Sequence, residues 1–272
     1  MTSSTAPGKN VFLLGATADI GRALSERFVR DGFDVVGTGR KAGDAAGGGL
    51  PWIPCDVGDG GSVTRAVQAY AALSRPWDVF VSCVGMMEPI GPFFETDFTA
   101  WERSVAVNST GQLRVLHGLY PHRRQGQGCH VAFLAGGGTN GPFTNYSAYC
   151  GSKILLIKMC ELLDDEAPDL NAFILGPGWV RTRIHSQTLD RPEAAGKNFE
   201  RTSEFLQSSS GGTSMDDIYG CIRWCMSQGR EVVGGRNLSV VHDAWRGGGA
   251  ALASQLRNNR DSFKLRRSGN PT

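Results

Sequence analysis

The sequence predicts an α/β protein with a three-layer, doubly wound fold around a mainly parallel sheet of about seven strands. Short apolar runs with little polar alternation recur along the 272 residues, as expected of strands that are covered on both faces of a parallel sheet. Amphipathic stretches of helical periodicity separate these runs, which is typical of right-handed strand–helix–strand units. No linker rich in proline or serine divides the chain, so we expect a single domain.

Seven apolar runs are predicted to be the strands, in chain order. They are VFLLG (11–15), DVVGTG (34–39), WIPCDV (52–57), WDVFVSCVG (77–85), CHVAFLAG (129–136), LNAFILGPG (170–178) and NLSVV (237–241). The predicted helices lie between them, at 20–31, 61–73, 97–120, 147–166 and 214–228.

Two segments break this alternation, a glycine-rich loop at 41–51 and a long polar stretch at 181–213. The second follows the sixth strand, at the edge where open α/β sheets bind their ligands. Because structureless loops of such length are uncommon in compact domains, we expect a lid or a binding segment there.

The domain is expected to span residues 11–245, with a flexible tail at 1–10 and an extension at 246–272 that docks on a neighbouring subunit, folds over the pocket or stays loose. A net charge of +2 is too small to indicate nucleic-acid binding. The sequence has no run of about 18 apolar residues, so no membrane helix is expected. The seven cysteines are scattered and lack metal-ligand spacing, which favours a reducing, cytoplasmic location and no metal site.

The turn LLGATADIG after the first strand is a candidate dinucleotide-binding site. Gly15 and Gly21 bracket a tight strand-to-helix turn that includes Thr17 and Ile20, and bare backbone N–H groups at a helix N-terminus bind a pyrophosphate. A plain turn of the same shape is the alternative. Asp19 is expected to cap the helix and, as an anion near a phosphate, to point its carboxylate away.

The end of the second strand indicates which nucleotide binds. An acidic residue there hydrogen-bonds the ribose 2′-hydroxyl of NAD, but this chain has TGR (38–40) and no acid. The guanidinium of Arg40 suits a 2′-phosphate instead. We therefore expect NADP(H) in preference to NAD(H), although Arg40 as a solvated surface charge is the simpler alternative.

The pair YxxxK, formed by Tyr149 and Lys153, opens the helix after the fifth strand. Residues four apart share one face of a helix, so the ammonium is expected beside the phenol. A phenol has a pKa near 10, and a nearby positive charge lowers it towards the working range of an acid–base catalyst. A half-buried core tyrosine is the alternative interpretation.

Taken together, these motifs resemble the short-chain dehydrogenase/reductase family over residues 11 to about 245. The first turn resembles TGxxxGxG, with Leu14 in place of the threonine and Asp19 in place of the middle glycine. The resemblance implies a Rossmann fold and hydride transfer between NAD(P)(H) and a carbonyl or alcohol carbon of a small substrate, with Tyr149 exchanging the proton. It also implies a homodimer or homotetramer through the helices that begin near 97 and 147.

Further residues acquire roles only through this resemblance. Asn108 matches an asparagine that binds a relay water beside the lysine. The expected cofactor contacts are Asp56 and Val57 at the adenine, Val84 and Gly85 along the ribose, and Pro177, Gly178, Val180 and Thr182 at the nicotinamide and phosphates.

The family's serine, about thirteen residues before the tyrosine, is missing, since Ala135 and Gly136 stand there. Three interpretations follow: another donor replaces it, the enzyme is slow, or the protein binds nucleotide without chemistry. The candidate donors are the backbone of Gly137 or Gly138 and the side chains of Thr139, Asn140, Thr144 and Asn145. If the hydroxyl is merely missing, serine at Gly136 or Ala135 should raise the rate.

The segment 181–213 carries six cationic or imidazole side chains. They suit an anionic or polyhydroxyl substrate, whereas a solvated loop is the simpler alternative, and His185 is a candidate substrate ligand. Two other functions stay open. One is a non-catalytic or regulatory NAD(P)-binding protein, and the other is a nucleotide-sugar epimerase or dehydratase, for which the chain is short.

Overall fold

A computed structural model describes residues 8–40, 50–126, 128–209 and 211–267. Its strands are β1 (Asn10–Leu14), β2 (Asp34–Gly39), β3 (Trp52–Pro54), β4 (Val79–Ser82), β5 (Cys129–Leu134), β6 (Leu170–Gly176) and β7 (Asn237–Ser239). They form one sheet in the order β3-β2-β1-β4-β5-β6-β7, and each neighbouring pair is parallel. The predicted doubly wound architecture is confirmed.

The helices are α1 (Asp19–Arg30), α2 (Gly60–Ala72), α3 (Phe98–Val105), α4 (Gly111–Leu119), α5 (Ser147–Glu166), α6 (Ser186–Leu189), α7 (Pro192–Ala195), α8 (Lys197–Gln207), α9 (Met215–Ser227), α10 (Arg230–Val233) and α11 (Ala250–Asn258). Short 3₁₀ turns lie at Phe93–Glu95, Tyr120–His122, Arg183–His185 and Arg246–Gly248, and a π turn at Ala106–Thr110. Within the described ranges, no helix combines the length and the apolar character that crossing a membrane requires.

Both faces of the sheet are buried, which explains why the strands lack polar alternation. Successive side chains of a strand point to opposite faces, and in β1 Val11 and Leu13 join one core cluster while Phe12 and Leu14 join the other. The first cluster includes apolar residues of α1 and α9, and the second includes those of α2, α4 and α5. The sheet is thus the middle layer of three.

Several strands end earlier than predicted. The run at 77–85 is a strand only over Val79–Ser82, and the run at 52–57 only over Trp52–Pro54. Their last residues leave the sheet at its carboxyl edge and line a cavity. An apolar run alone does not show where backbone pairing stops, because Cys55 and Cys83, which follow the two strands, are as apolar as the strands themselves.

The helix predicted over 97–120 is divided by the π turn. Asp97 caps α3, accepting a hydrogen bond from the backbone N–H of Ala100 at 2.7 Å. Beyond the π turn, α4 comes so close to the segment after β3 that a Cβ on Gly111 would fall 2.3 Å from the Val57 carbonyl oxygen. The extra residue of a π turn changes the direction of the chain, and such turns are frequent at functional sites.

The segment 181–213, predicted as a loop, is largely helical in its described part. Helices α6, α7 and α8 fold back on the loop after β5, where the Asn145 amide donates to the Ala194 carbonyl at 2.7 Å and the Asn198 amide to the Thr144 carbonyl at 3.1 Å. Short helices of this kind depend on such tertiary contacts, since isolated helices of this length are marginal in water. We call residues 181–209 the lid.

The extension after residue 245 folds onto its own chain up to residue 267. The buried Arg236 donates to the carbonyl oxygens of Leu256, Asn259 and Ser262, at 2.7, 3.0 and 2.6 Å. The Asn237 N–H donates to the Phe263 carbonyl at 2.9 Å. The extension therefore pairs with the outer edge of β7, the last strand of the sheet. Of the three alternatives for the extension, this arrangement favours folding over the chain's own cavity, which its residues 263–266 line.

Candidate active site

A cavity of about 1560 Å³ opens along the carboxyl edge of the sheet. This is the edge at which the sequence predicts ligand binding. The predicted site residues that line it are Gly15, Thr17, Asp19, Ile20, Arg40, Asp56, Val57, Val84, Gly85, Gly136, Gly137, Tyr149, Lys153, Pro177, Gly178, Val180, Thr182 and His185. Gly21, Asn108, Thr144 and Asn145 lie outside the lining.

The turn between β1 and α1 requires both of its glycines. Gly15 has φ +80°, a conformation that favours glycine, and a Cβ there would fall 3.0 Å from the Val84 side chain. A Cβ on Gly21 would fall 2.2 Å from the Gly15 carbonyl oxygen, so α1 packs on the turn through bare backbone. Gly21 therefore shapes the site without lining it.

Asp19 does not cap α1 as expected. The N-cap is Ala18, which has no capping side chain, and Asp19 is the first helical residue. Its carboxylate points to the lid, accepting from the backbone N–H of Arg183 at 2.6 Å and from its guanidinium at 2.8 Å. The same guanidinium donates to the Thr17 carbonyl at 2.7 Å. The charge that stands in place of the family's glycine is thus neutralised by an ion pair that bridges the turn and the lid.

Arg40 is exposed after β2 and lines the cavity, as does Arg22 of α1, which also lies in a surface depression with Asp19 and Arg183. Neither guanidinium has an acceptor among the residues that the structure describes. Asp56 accepts from the Gly58 N–H at 2.9 Å, so its carboxylate closes the turn after β3, and the Val57 side chain is buried beside it. These residues combine unpaired positive charge with an apolar floor.

Tyr149 and Lys153 share one face of α5, as predicted, and both are buried. The Lys153 ammonium lies 5.7 Å from the centre of the Tyr149 ring and 3.5 Å from the Val84 carbonyl oxygen. Loss of hydration raises the pKa of Tyr149 to about 12 and lowers that of Lys153 to about 8. The pKa of Tyr149 is thus raised rather than lowered, because loss of hydration dominates.

Replacing Lys153 by methionine is expected to raise the free energy of unfolding at pH 7, since the change removes a buried charge. The folded pKa of about 8 lies below the ordinary 10.5, so the unfolded chain binds more protons between these values. In the wild type, the loss of folding stability caused by burying the Lys153 charge is greatest below pH 8. It decreases as the pH rises above 8, by about 1.36 kcal/mol for each pH unit up to the ordinary pKa. Urea unfolding of the variant and the wild type at pH 7 and 9.5 tests this. If the difference between their free energies of unfolding is not smaller at pH 9.5, the pKa of Lys153 is not lowered.

Asn108 is fully buried at the centre of the π turn. Its side chain exchanges two hydrogen bonds with the backbone of Met86, accepting from the N–H and donating to the carbonyl oxygen, both at 2.8 Å. It therefore fixes the segment that follows β4 beside Lys153. In this structure Asn108 orients the cavity wall rather than lining it.

The glycines after β5 are required by the close approach of α5. A Cβ on Gly136 would fall 2.2 Å from the Tyr149 hydroxyl oxygen, and a Cβ on Gly138 would fall 2.5 Å from the Cys150 sulfur. Any side chain at Gly136 would thus occupy the space that the phenol fills. Position 136 has no room for the family's serine while Tyr149 keeps this position.

Thr144 and Asn145 are not retained as substrate ligands. Thr144 is exposed and lies outside the cavity lining, while the Asn145 amide is bound to the lid at Ala194. Asn145 also has φ +71°, as a turn residue does. Both residues connect the loop to the lid, a role that their polar character did not reveal.

Three of the lid's five cationic side chains, Arg181, Arg183 and Arg191, have partners in the structure. Arg181 donates to carbonyl oxygens at the end of α8, including those of Leu206 and Phe205 at 2.9 Å each, and Arg191 lies 3.6 Å from the Glu88 carboxylate. Of the lid's arginines, Arg201 lines the cavity without an acceptor among the described residues. Arg181 therefore holds the lid together, whereas Arg183 and Arg191 attach it to the first turn and to the segment after β4.

His185 forms part of the cavity wall. Its Nε2 is 2.8 Å from the Val180 carbonyl oxygen, so it carries the proton, and its ring stacks on Trp179 with centroids 5.6 Å apart. Burial lowers the pKa of His185, which keeps the ring neutral. It stays a candidate substrate contact.

Sequence reasoning missed Gln187. This residue lines the cavity from α6, and its side-chain oxygen accepts from the backbone N–H groups of Met87 and Glu88. A glutamine in a polar segment carries no sequence signal, and only the folding of the lid over the segment after β4 brings it to the site.

Comparison with known proteins gives a consistent result. A model of the short chain dehydrogenase family matches residues 9–193. The serine 3-dehydrogenase of Rhizobium radiobacter is 27% identical over 230 residues, which cover 82% of this chain and 89% of that protein. The 3-oxoacyl-(acyl-carrier-protein) reductase of Mycobacterium tuberculosis is 25% identical over 234 residues, which cover 85% and 91%.

Among solved structures, a short chain dehydrogenase/reductase from Saccharomyces cerevisiae superposes with a TM-score of 0.76 and 19% sequence identity. The match covers 91% of this chain and 99% of the yeast protein. At this level of identity the likeness concerns the fold.

Proposed function

Because the chain belongs to the short-chain dehydrogenase family, we propose that it transfers hydride between NAD(P)(H) and a carbonyl or alcohol carbon of a small polar substrate. The observation that carries this proposal is the position of Tyr149 and Lys153. Both are buried on one face of α5 and line the cavity that also contains the glycine turn.

The nucleotide fits the described residues. The turn at Gly15 and Gly21 leaves backbone exposed at the start of α1, where a pyrophosphate binds. Arg40, which has no acceptor among the described residues and lines the cavity after β2, would supply charge for a 2′-phosphate, which supports NADP(H) over NAD(H). Bound nucleotide supplies or accepts the hydride.

The protein's own contribution is proton transfer. With its pKa raised to about 12, Tyr149 stays protonated at neutral pH and is poised to donate to a carbonyl oxygen. The nearby Lys153, in its charged form, stabilises the phenolate that donation leaves.

The test is a screen of carbonyl compounds with NADPH, monitored by the absorbance of the reduced nicotinamide. Turnover that Tyr149→Phe abolishes, while NADPH binding is retained, supports the proposal. The variant keeps the ring and removes only the hydroxyl, so folding should be unaffected. Titration with NADPH and NADH in parallel tests the nucleotide preference, and equal affinities would contradict it.

Nucleotide binding without turnover of any compound would instead favour a non-catalytic or regulatory protein on this fold. Retention of tightly held nucleotide through purification would favour epimerase or dehydratase chemistry. A homodimer or homotetramer and a cytoplasmic location stay predictions, and the mass in solution tests the first.

A further inference from the structure

We propose that Gln187 supplies the hydrogen-bond donor that Gly136 lacks, with its side-chain NH₂ binding the substrate oxygen that Tyr149 protonates. The role rests on the proposed function, since it assigns a second contact to the same oxygen. A donor at this oxygen stabilises the charge that develops on it during hydride transfer.

The hydrogen bonds of Gln187 determine which way its amide faces. Its Oε1 accepts from the Met87 N–H at 2.7 Å and from the Glu88 N–H at 3.1 Å. An amide NH₂ has no lone pair to accept these bonds, so a flipped side chain would lose both. The NH₂ therefore points away from the backbone of Met87 and Glu88.

This NH₂ is available to a ligand. No described residue accepts a hydrogen bond from it. It is not among the fully buried polar groups, so solvent reaches it. Gln187 is half-buried and lines the cavity. The side chain thus presents two N–H donors that nothing in the described protein uses.

Gln187 belongs to the same end of the cavity as Tyr149. The Met87 side chain, whose backbone holds Gln187, packs in one apolar cluster with Tyr149 and Ile184. Ile184 precedes Gln187 by about one helical turn, and its Cδ1 lies 3.6 Å from the position of a Cβ on Gly85. The Lys153 ammonium lies 4.0 Å from that same position.

Thr188, the residue after Gln187, adds contacts that hold α6 in position. The Thr188 hydroxyl lies 2.9 Å from the Tyr146 hydroxyl and 3.4 Å from the Met87 sulfur. Both Gln187 and Thr188 therefore hold α6 on the segment after β4. A donor that is fixed before the reaction costs no reorganisation during it.

The other candidate donors are less suited. The Thr139 hydroxyl makes a long contact, 3.5 Å, with the Gly136 carbonyl oxygen, and the Asn145 amide is bound to Ala194. Asn140 is exposed, and no contact with another described residue orients its amide.

The experiment compares Gln187→Glu and Gln187→Leu, using NADPH and a carbonyl compound that the wild type reduces. Glutamate keeps an oxygen for the Met87 and Glu88 N–H groups but lacks the NH₂, whereas leucine lacks both. We expect both variants to lose about a hundred- to a thousandfold in kcat, with an unchanged Kd for NADPH. The activity of Gln187→Glu should recover as the pH falls towards the carboxyl pKa, because a protonated carboxyl group donates again, whereas Gln187→Leu should show no recovery.

Asn198→Asp is the matched control, since it makes the same amide-to-acid change on the lid, where the amide binds the Thr144 carbonyl. We expect it to retain wild-type kcat. Wild-type turnover by Gln187→Glu would overturn the role and leave Gln187 as a structural contact. An equal loss in Asn198→Asp would overturn it in favour of lid closure. If Tyr149→Phe is inactive and Gln187→Glu is active, only this inference fails, whereas a wild type that reduces no carbonyl compound overturns the proposed function and this role together.

Discussion

Alanine or serine at Gly136 is expected to lower turnover by about a hundredfold or more, although serine would restore the hydroxyl that the family carries. The new Cβ would fall 2.2 Å from the Tyr149 hydroxyl oxygen and 2.5 Å from the adjacent ring carbons. Separating them to ordinary contact distance moves the phenol by about 1 Å, and a misplacement of that size costs about a hundredfold in rate.

The measurement is kcat for Gly136→Ala and Gly136→Ser beside Gly141→Ala, in the same loop. No atom lies within 4 Å of a Cβ on Gly141, so this control should retain activity. A rate increase in Gly136→Ser would show that the phenol has room to move and that the hydroxyl was merely missing. That outcome would also argue against Gln187 as its replacement.

Alanine at Gly21 is expected to destabilise the protein and to weaken nucleotide binding. Its Cβ would fall 2.2 Å from the Gly15 carbonyl oxygen and 3.0 Å from the Ala16 Cα, and both are backbone atoms that cannot rotate away. Helix α1 would have to separate from β1, which opens the turn at which we propose that the pyrophosphate binds. Overpacking of this kind costs about 1–3 kcal/mol, occasionally more.

Denaturant unfolding and NADPH titration of Gly21→Ala measure both effects. Gly151→Ala is the control, because this exposed glycine of α5 has no atom within 4 Å of its Cβ position. There alanine should stabilise by about 0.5–1 kcal/mol, through its better helix propensity. A Gly21→Ala protein as stable as the wild type would show that α1 does not require the close contact.

The order of strands and helices was predictable because both faces of the sheet are buried. Fully apolar runs such as VFLL in β1 carry that information locally. The ends of β3 and β4 were not predictable, since Cys55 and Cys83 beyond them are as apolar as the strands. The helices of the lid were not predictable either, because contacts between residues far apart in the sequence hold them in place. Asn145 binds Ala194, and Asn198 binds Thr144.

Within the candidate site, local motifs predicted the residues whose spacing along one element matters. Tyr149 and Lys153 share a face because α5 has 3.6 residues per turn, and Gly15 and Gly21 bracket one turn. Roles that depend on a partner elsewhere in the chain were mistaken or missed. Asp19 pairs with Arg183 across 164 residues, and Gln187 reaches Met87 across 100.

The sequence by itself determined the sheet, the family and the position of the Tyr149–Lys153 pair, because each depends on short-range pattern. Only the tertiary structure decided what the glycines before Tyr149 do. The Tyr149 hydroxyl fills the space beside Gly136, while the lid brings the Gln187 amide to the backbone of Met87 and Glu88 at the cavity wall. Steric exclusion and the direction of an amide are properties of atoms that meet in space, and the order of residues does not contain them.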